Sequence, residues 1–165
     1  MHTRLTLNCW YIGGAWVGLR DSQGLVQSGV GWSVTVDSSG DYSYSFGLWY
    51  EWFPGPPTTV DMAVAPGNVI DIWCEITTSS TAFCIINNIS TGVENTYQLS
   101  APSSAPTITP LEVDWIVEVQ GTLANFGAVT FTNCFAVAGT SKLEEKSFSI
   151  LDCFMTFPKK ISPLS

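Results

Sequence analysis

No window of this 165-residue chain keeps apolar residues at the i, i+3, i+4, i+7 spacing of an amphipathic helix, and Gly, Pro, Ser and Thr interrupt it throughout. Strand patterns are frequent instead. "GWSVTVD" (31–37) sets Trp32, Val34 and Val36 against Ser33 and Thr35. "VIDIWCEIT" (69–77), "TAFCIIN" (81–87), "NTYQLS" (95–100), "VDWIVEV" (113–119) and "AVTFTNCFAV" (128–137) follow, separated by turn clusters. Short strands at such intervals predict an all-β fold, an antiparallel sandwich or barrel. The length suits one domain over residues 1–165 with a substantial core. The Pro/Ser-rich stretch 100–110 reads as a long surface loop, because strands continue on both sides of it.

Charge narrows the partners. Six basic residues against 14 acidic ones give a net charge of −8, which argues against a nucleic-acid partner, since phosphate binding depends on Lys and Arg. The same balance suits an acidic medium, where protonating carboxylates leave few cations to repel one another. No apolar run approaches a membrane span, so no membrane partner is expected. The stretch from His2 to Leu19 has the look of a signal peptide, with Arg4 ahead of apolar residues.

Five cysteines, Cys9, Cys74, Cys84, Cys134 and Cys153, show no CxxC pair and no metal-type spacing with the single histidine, His2, so no metal or other cofactor is expected. Cys74 and Cys84 are placed to meet across neighbouring strands, as a disulfide or as small buried hydrophobes. Asn88-Ile89-Ser90 is a glycosylation sequon, usable only in a secreted chain.

A serine or cysteine triad needs an imidazole, and the only one stands at position 2 on what should be a loose terminus. Hydrolytic chemistry here must use carboxylates and amides. Glu118 is conspicuous among Trp115, Ile116, Val117 and Val119 in what reads as a buried strand, where a carboxylate must find a partner or a proton. Asp114 shares its strand face, but four residues at ~3.3 Å separate the two by roughly 13 Å. Any partner for Glu118 must come from another strand.

"AWVGL" (15–19), "GLVQSGV" (24–30), "LWYEWFP" (48–54), "VDWIVEV" (113–119) and "FGAVTFTN" (126–133) resemble, in order and spacing, the glutamic peptidases, or eqolisins, acid endopeptidases known mainly from fungi. The resemblance covers about residues 15–140 and counters the signal-peptide reading, because Trp16 to Leu19 match mature-domain sequence. It implies an all-β fold of two packed antiparallel sheets, a β-sandwich of the concanavalin-like jelly-roll kind, and a secreted, cofactor-free peptidase of protein or peptide substrates, expected to act as a monomer. Carried over, the catalytic pair is Gln27, in the strand similar to the family's "LQTG", and Glu118, closing "WIVE". Trp16 and Trp49 match aromatic residues flanking the substrate, and Glu51 matches the glutamate of "WYEW". On a strand Trp49, Glu51 and Phe53 share a face, which lets Glu51 orient a catalytic partner.

The chain also departs from the family. An aspartate usually follows "WVG" closely, so Asp21 is expected to stand in with a one-residue shift. Gly31 stands where an aspartate is usual four residues beyond the glutamine, and Phe53 stands where the family has a tyrosine. Only fourteen residues precede Ala15, and Pro158, Lys159 and Lys160 fall where a closing strand is expected, which together imply a truncated member of reduced activity. The rival reading is a non-catalytic sandwich whose aromatic groove of Trp16, Trp49 and Trp52 binds carbohydrate or protein.

Overall fold

The computed structural model describes residues 9–103, 107–120, 126–139 and 147–157, with backbone alone for 9–11, 138, 139 and 147–151. Its elements are ten strands: β1 (Cys9–Arg20), β2 (Leu25–Val36), β3 (Tyr42–Phe53), β4 (Thr58–Val60), β5 (Val69–Thr78), β6 (Thr81–Asn88), β7 (Val93–Ser100), β8 (Glu112–Val119), β9 (Thr130–Gly139) and β10 (Ser147–Thr156). They form two five-stranded sheets, in the orders β4-β3-β2-β1-β8 and β7-β6-β5-β10-β9. Every pairing is antiparallel. Of the sandwich and barrel that alternation allows, the β-sandwich implied by the resemblance is the fold observed.

Alternation sorts the side chains. In the first sheet Ala15, Val17 and Leu19 of β1, Val26, Val30, Trp32 and Val34 of β2, and Leu48 and Trp52 of β3 point inward and are buried. They meet Ile70, Ile72 and Cys74 of β5, Ala82, Cys84 and Ile86 of β6, and Cys153 and Met155 of β10. Each fully buried aliphatic side chain contributes ~1.5–3 kcal/mol. Trp32 closes one end of the core against Phe126 and Phe157, at ring-centroid distances of 5.0 and 6.2 Å.

In the loop after β7, Ile108 is buried and its amide donates to the Ser79 carbonyl at 2.9 Å. The sequon asparagine Asn88 is fully buried, its Nδ2 donating to Ala63 O at 3.0 Å and Asn68 Oδ1 at 3.1 Å, so a glycan there would displace both bonds. Cys74 and Cys84 do face each other across β5 and β6, as buried thiols with sulfurs 3.0 Å apart. The disulfide joins Cys134 of β9 to Cys153 of β10 instead. It sits where the β9–β10 register shifts and Asn133 takes a positive φ of 54°. His2 and the segment from Pro158 onward lie outside the described residues.

The outer face of the second sheet carries a carboxyl pair. Asp71 stands opposite Phe154, and Asp152 opposite Trp73, so the two acids are diagonal neighbours across β5 and β10. Each has a buried Oδ1 without a hydrogen-bond partner among the described residues, and a proton on one acid can bridge to the other. Burial first, then the hydrogen bond to Asp152, then the charges of Asp152 and Glu94 push Asp71 up to about 7. A carboxyl that keeps its proton in the folded state beyond its ordinary 3.8 stabilises the fold at low pH, and that contribution fades as pH rises toward about 7. Melting temperature is therefore expected to fall between pH 4 and pH 8, as followed by circular dichroism. In Asp152→Asn, whose amide donates to Asp71 without a second charge, the fall shrinks; an equal fall in both proteins contradicts this account.

Candidate active site

The site is built on β1, which is paired along its length with β2 on one side and, from Gly13 to Arg20, with β8 on the other. Cross-strand partners share a face. With Ala15, Val17 and Leu19 inward, Trp16 must point outward, and so must its partners Gly29 of β2 and Ile116 of β8. Gln27 follows by alternation on β2, Trp49 and Glu51 on β3, and Asp114 and Glu118 on β8. Five of the seven residues expected at the site, Trp16, Gln27, Trp49, Glu51 and Glu118, therefore lie on one face, and they line a single groove of about 280 Å³.

The register spaces them. Gln27 pairs with Gly18 and with Glu51, whereas Glu118 pairs with Gly14, itself opposite Gly31. Gln27 and Glu118 are thus two strands and four residues apart, roughly 16 Å between Cα atoms on a flat sheet. Long side chains and the intervening indole occupy that span. Trp16 Nε1 donates to Glu118 Oε2 at 3.1 Å, holding the carboxylate over the groove. Gln27 Nε2 donates to Glu51 Oε2 at 2.6 Å, which fixes the plane of the amide.

Two further features mark Gln27. Its side chain is 8% exposed, and Oε1 is buried without a partner among the described residues. A buried carbonyl left unpaired costs ~1–3 kcal/mol unless a ligand or water meets it. Glu51 next to it is electrostatically loaded: burial lifts its carboxyl above the ordinary 4.5, the Gln27 hydrogen bond draws it back, and the Glu118 charge lifts it again. Glu118 is thereby within electrostatic reach of the Gln27–Glu51 pair.

Gly29 is the central requirement of the floor. A Cβ there would lie 2.4 Å from the Ala15 carbonyl oxygen and 2.6 Å from Trp16 Cβ, so no side chain can stand between the two indoles.

Several expectations need correction. Glu118 is not buried in apolar surroundings: β8 is an edge strand, and Val117, Glu118 and Val119 are all exposed. Asp21 lies outside the groove. It is the first residue beyond β1, and its carboxylate is taken by the amides of Gln23 at 2.7 Å, Gly24 at 3.0 Å and Thr109 at 2.7 Å, ordering the β1–β2 turn and docking the loop before β8. Phe53 has the right face but the wrong end: opposite Leu25 and 53% exposed, it borders a separate hollow with Arg20 and Asp21. Trp52 points into the core and takes no part in the aromatic groove. Asp114 shares the face of Glu118 but is held by Arg20, whose Nε donates at 2.7 Å, with Glu112 on the same guanidinium. Pro57, Thr59 and Gln120 also line the groove; they come from strand ends and a short edge strand, which alternation alone does not place.

Residues 7–156 match the Peptidase A4 family, and the chain belongs to it. Aspergillopepsin-2 of Aspergillus niger is 28% identical over 152 residues, which are 86% of this chain and 52% of that protein, so the chain spans about half the length of this curated relative. The crystal structure of aspergilloglutamic peptidase from Aspergillus niger superposes with a TM-score of 0.58 at 20% identity, covering 89% of this chain and 99% of that one. Scytalido-glutamic peptidase, solved with a transition state analog inhibitor, gives a TM-score of 0.59 at 18% identity, covering 86% and 82%. Both share the fold.

Two outcomes test the geometry. Glu118→Gln removes the repulsion and moves the Glu51 titration toward acid, read by carboxyl ¹³C NMR; an unmoved titration contradicts their proximity. Gly29→Ala overpacks the floor and costs ~1–3 kcal/mol in urea unfolding, whereas a neutral change shows that the space is there after all.

Proposed function

We propose that this chain is an acid endopeptidase in which Glu118 activates a water and Gln27 holds the developing oxyanion. The observation that supports it best is the convergence of Trp16, Gln27, Glu51 and Glu118 on one groove, with the Gln27 carbonyl buried and without a partner among the described residues. Trp16 engages Glu118 Oε2, so Oε1 is the oxygen left to take a proton from water. The hydroxide equivalent adds to the scissile carbonyl, and the carbonyl pair moves onto oxygen. Glu118 then returns the proton to the departing nitrogen as the C–N bond breaks, serving as base and acid in turn.

Gln27 does not titrate. One of its amide hydrogens goes to Glu51, which fixes the amide; the other is free to donate to the oxyanion, while Oε1 accepts from the attacking water. Glu51 is a positioning residue in this scheme. A working carboxylate without imidazole or metal sets the activity at acid pH, in keeping with the net charge of −8. The substrate is a protein or peptide taken in extended form, and secretion and a monomeric state are part of the same proposal, carried by the family rather than by the chain.

Digestion of a denatured protein at acid pH, with pepstatin present to silence aspartic peptidases, tests the reading. Glu118→Gln is expected to lower kcat/KM by ~10²–10⁴-fold and Gln27→Ala by ~10²–10³-fold, each with unchanged far-UV circular dichroism. Undiminished cleavage by either variant refutes the assignment, and peptide binding without turnover by the unmutated chain favours a binding module.

A further inference from the structure

Beside the groove lies a feature that the proposed chemistry leaves unused. Gly14 pairs with Gly31, and Gly31 with Gly47, so three glycines stand in register across β1, β2 and β3, with Glu118 opposite Gly14 on β8. All face outward. They form a bare strip that crosses the strands and ends at the carboxylate, three strand spacings or ~14 Å long. It is open space rather than tight packing: a Cβ on Gly31 would meet nothing closer than 3.9 Å, and one on Gly47 nothing within 4 Å. Neither glycine has the positive φ that only glycine tolerates easily, and both lie inside long strands, where glycine is disfavoured. Backbone geometry therefore does not require them.

The strip has walls. Trp49 stands on one side, and Ile12, Ser33 and Ser45, a second cross-strand row, stand on the other, with the two hydroxyls bonded to each other at 2.8 Å. Ile12, Gly31, Gly47 and Trp49 border a hollow of about 300 Å³ that shares Gly31 and Trp49 with the catalytic groove. Among the described residues its lining carries no charge, while Glu51 and Glu118 line the adjoining groove and disfavour an acidic occupant.

We propose that this glycine-floored trench is a specificity subsite that takes one large uncharged side chain of the substrate, aromatic or branched aliphatic, laid over Gly31 and Gly47 against the Trp49 indole. The proposal rests on the peptidase reading for the direction of the peptide but not for the pocket itself. An extended substrate whose scissile carbonyl lies between Gln27 and Glu118 places a neighbouring residue over the strip. Apolar burial on an indole then favours Phe, Tyr or Leu, and the absence of a cation or a carboxylate in the lining leaves Asp and Lys without a partner.

The test uses blocked heptapeptides with Phe, Leu, Ala, Asp or Lys scanned through the positions flanking the cleaved bond. Kinetics are measured on the unmutated chain and on Gly47→Val and Gly31→Val, whose Cβ atoms meet nothing closer than 3.9 Å and which put γ-methyls into the trench and add a residue that strands favour. Tryptophan-fluorescence titration of the same peptides, with Glu118→Gln present to prevent turnover, gives affinity independently of catalysis. One position is expected to show at least a tenfold preference for Phe or Leu over Ala, Asp and Lys, and either valine variant is expected to erase most of it in both readouts. Cleavage without such a preference, or with a preference that the valine variants leave intact, overturns the trench. Selective binding sensitive to Gly47→Val but without turnover retires the peptidase reading and keeps the subsite, and neither binding nor cleavage overturns both.

Discussion

The double pairing of β1 is the constraint on which the site depends. Because one strand is hydrogen-bonded to β2 and to β8 at once, the burial of Ala15, Val17 and Leu19 decides which way residues on four strands face. A slip of one residue on either side would turn Gln27 or Glu118 into the core, where neither has a partner. The apolar contacts inside the sandwich therefore enforce the polar arrangement outside it. Fold stability and site geometry are one problem here, solved by the same alternation.

Within that frame the groove is assembled from unequal parts. Gln27 is rigid and nearly buried, tied to Glu51 and short of one partner on its carbonyl. Glu118 sits on the exposed edge strand, and the Trp16 indole tethers it from below. In the proposed chemistry a buried neutral donor and an open carboxylate would suit opposite needs: charge stabilisation gains from exclusion of water, while proton transfer needs access to it. Gly29 keeps the ground between them clear.

Much of this was legible in the sequence, and the failures follow a pattern. Alternation gave an all-β fold, sandwich or barrel, and put Trp49 and Glu51 on one face, while the family resemblance supplied the sandwich and the pair Gln27 and Glu118, which line one groove. What it missed depends on neighbours that a strand does not encode. Whether β8 is central or at an edge is decided by sheet order, so Glu118 read as buried when it is exposed. Asp21 and Phe53 have suitable chemistry, but Asp21 lies just beyond the end of β1 and Phe53 is the last residue of β3, away from the groove; turn amides claim the first and solvent the second. Asn88 fits a sequon by pattern and is hydrogen-bonded inside by fold. The glycine strip was visible only as three scattered residues until the register aligned them.

The central claim is that an amide on β2 and a carboxylate on β8, separated by the whole width of β1, act on one reacting centre. A crystal structure of the chain at acid pH with a peptide analogue bearing a tetrahedral diol at the scissile position tests it most directly. The account predicts one diol oxygen within ~2.6–3.2 Å of a Gln27 amide atom and the other within the same distance of Glu118. A diol that reaches only one of the two side chains, or an analogue bound away from both, contradicts it.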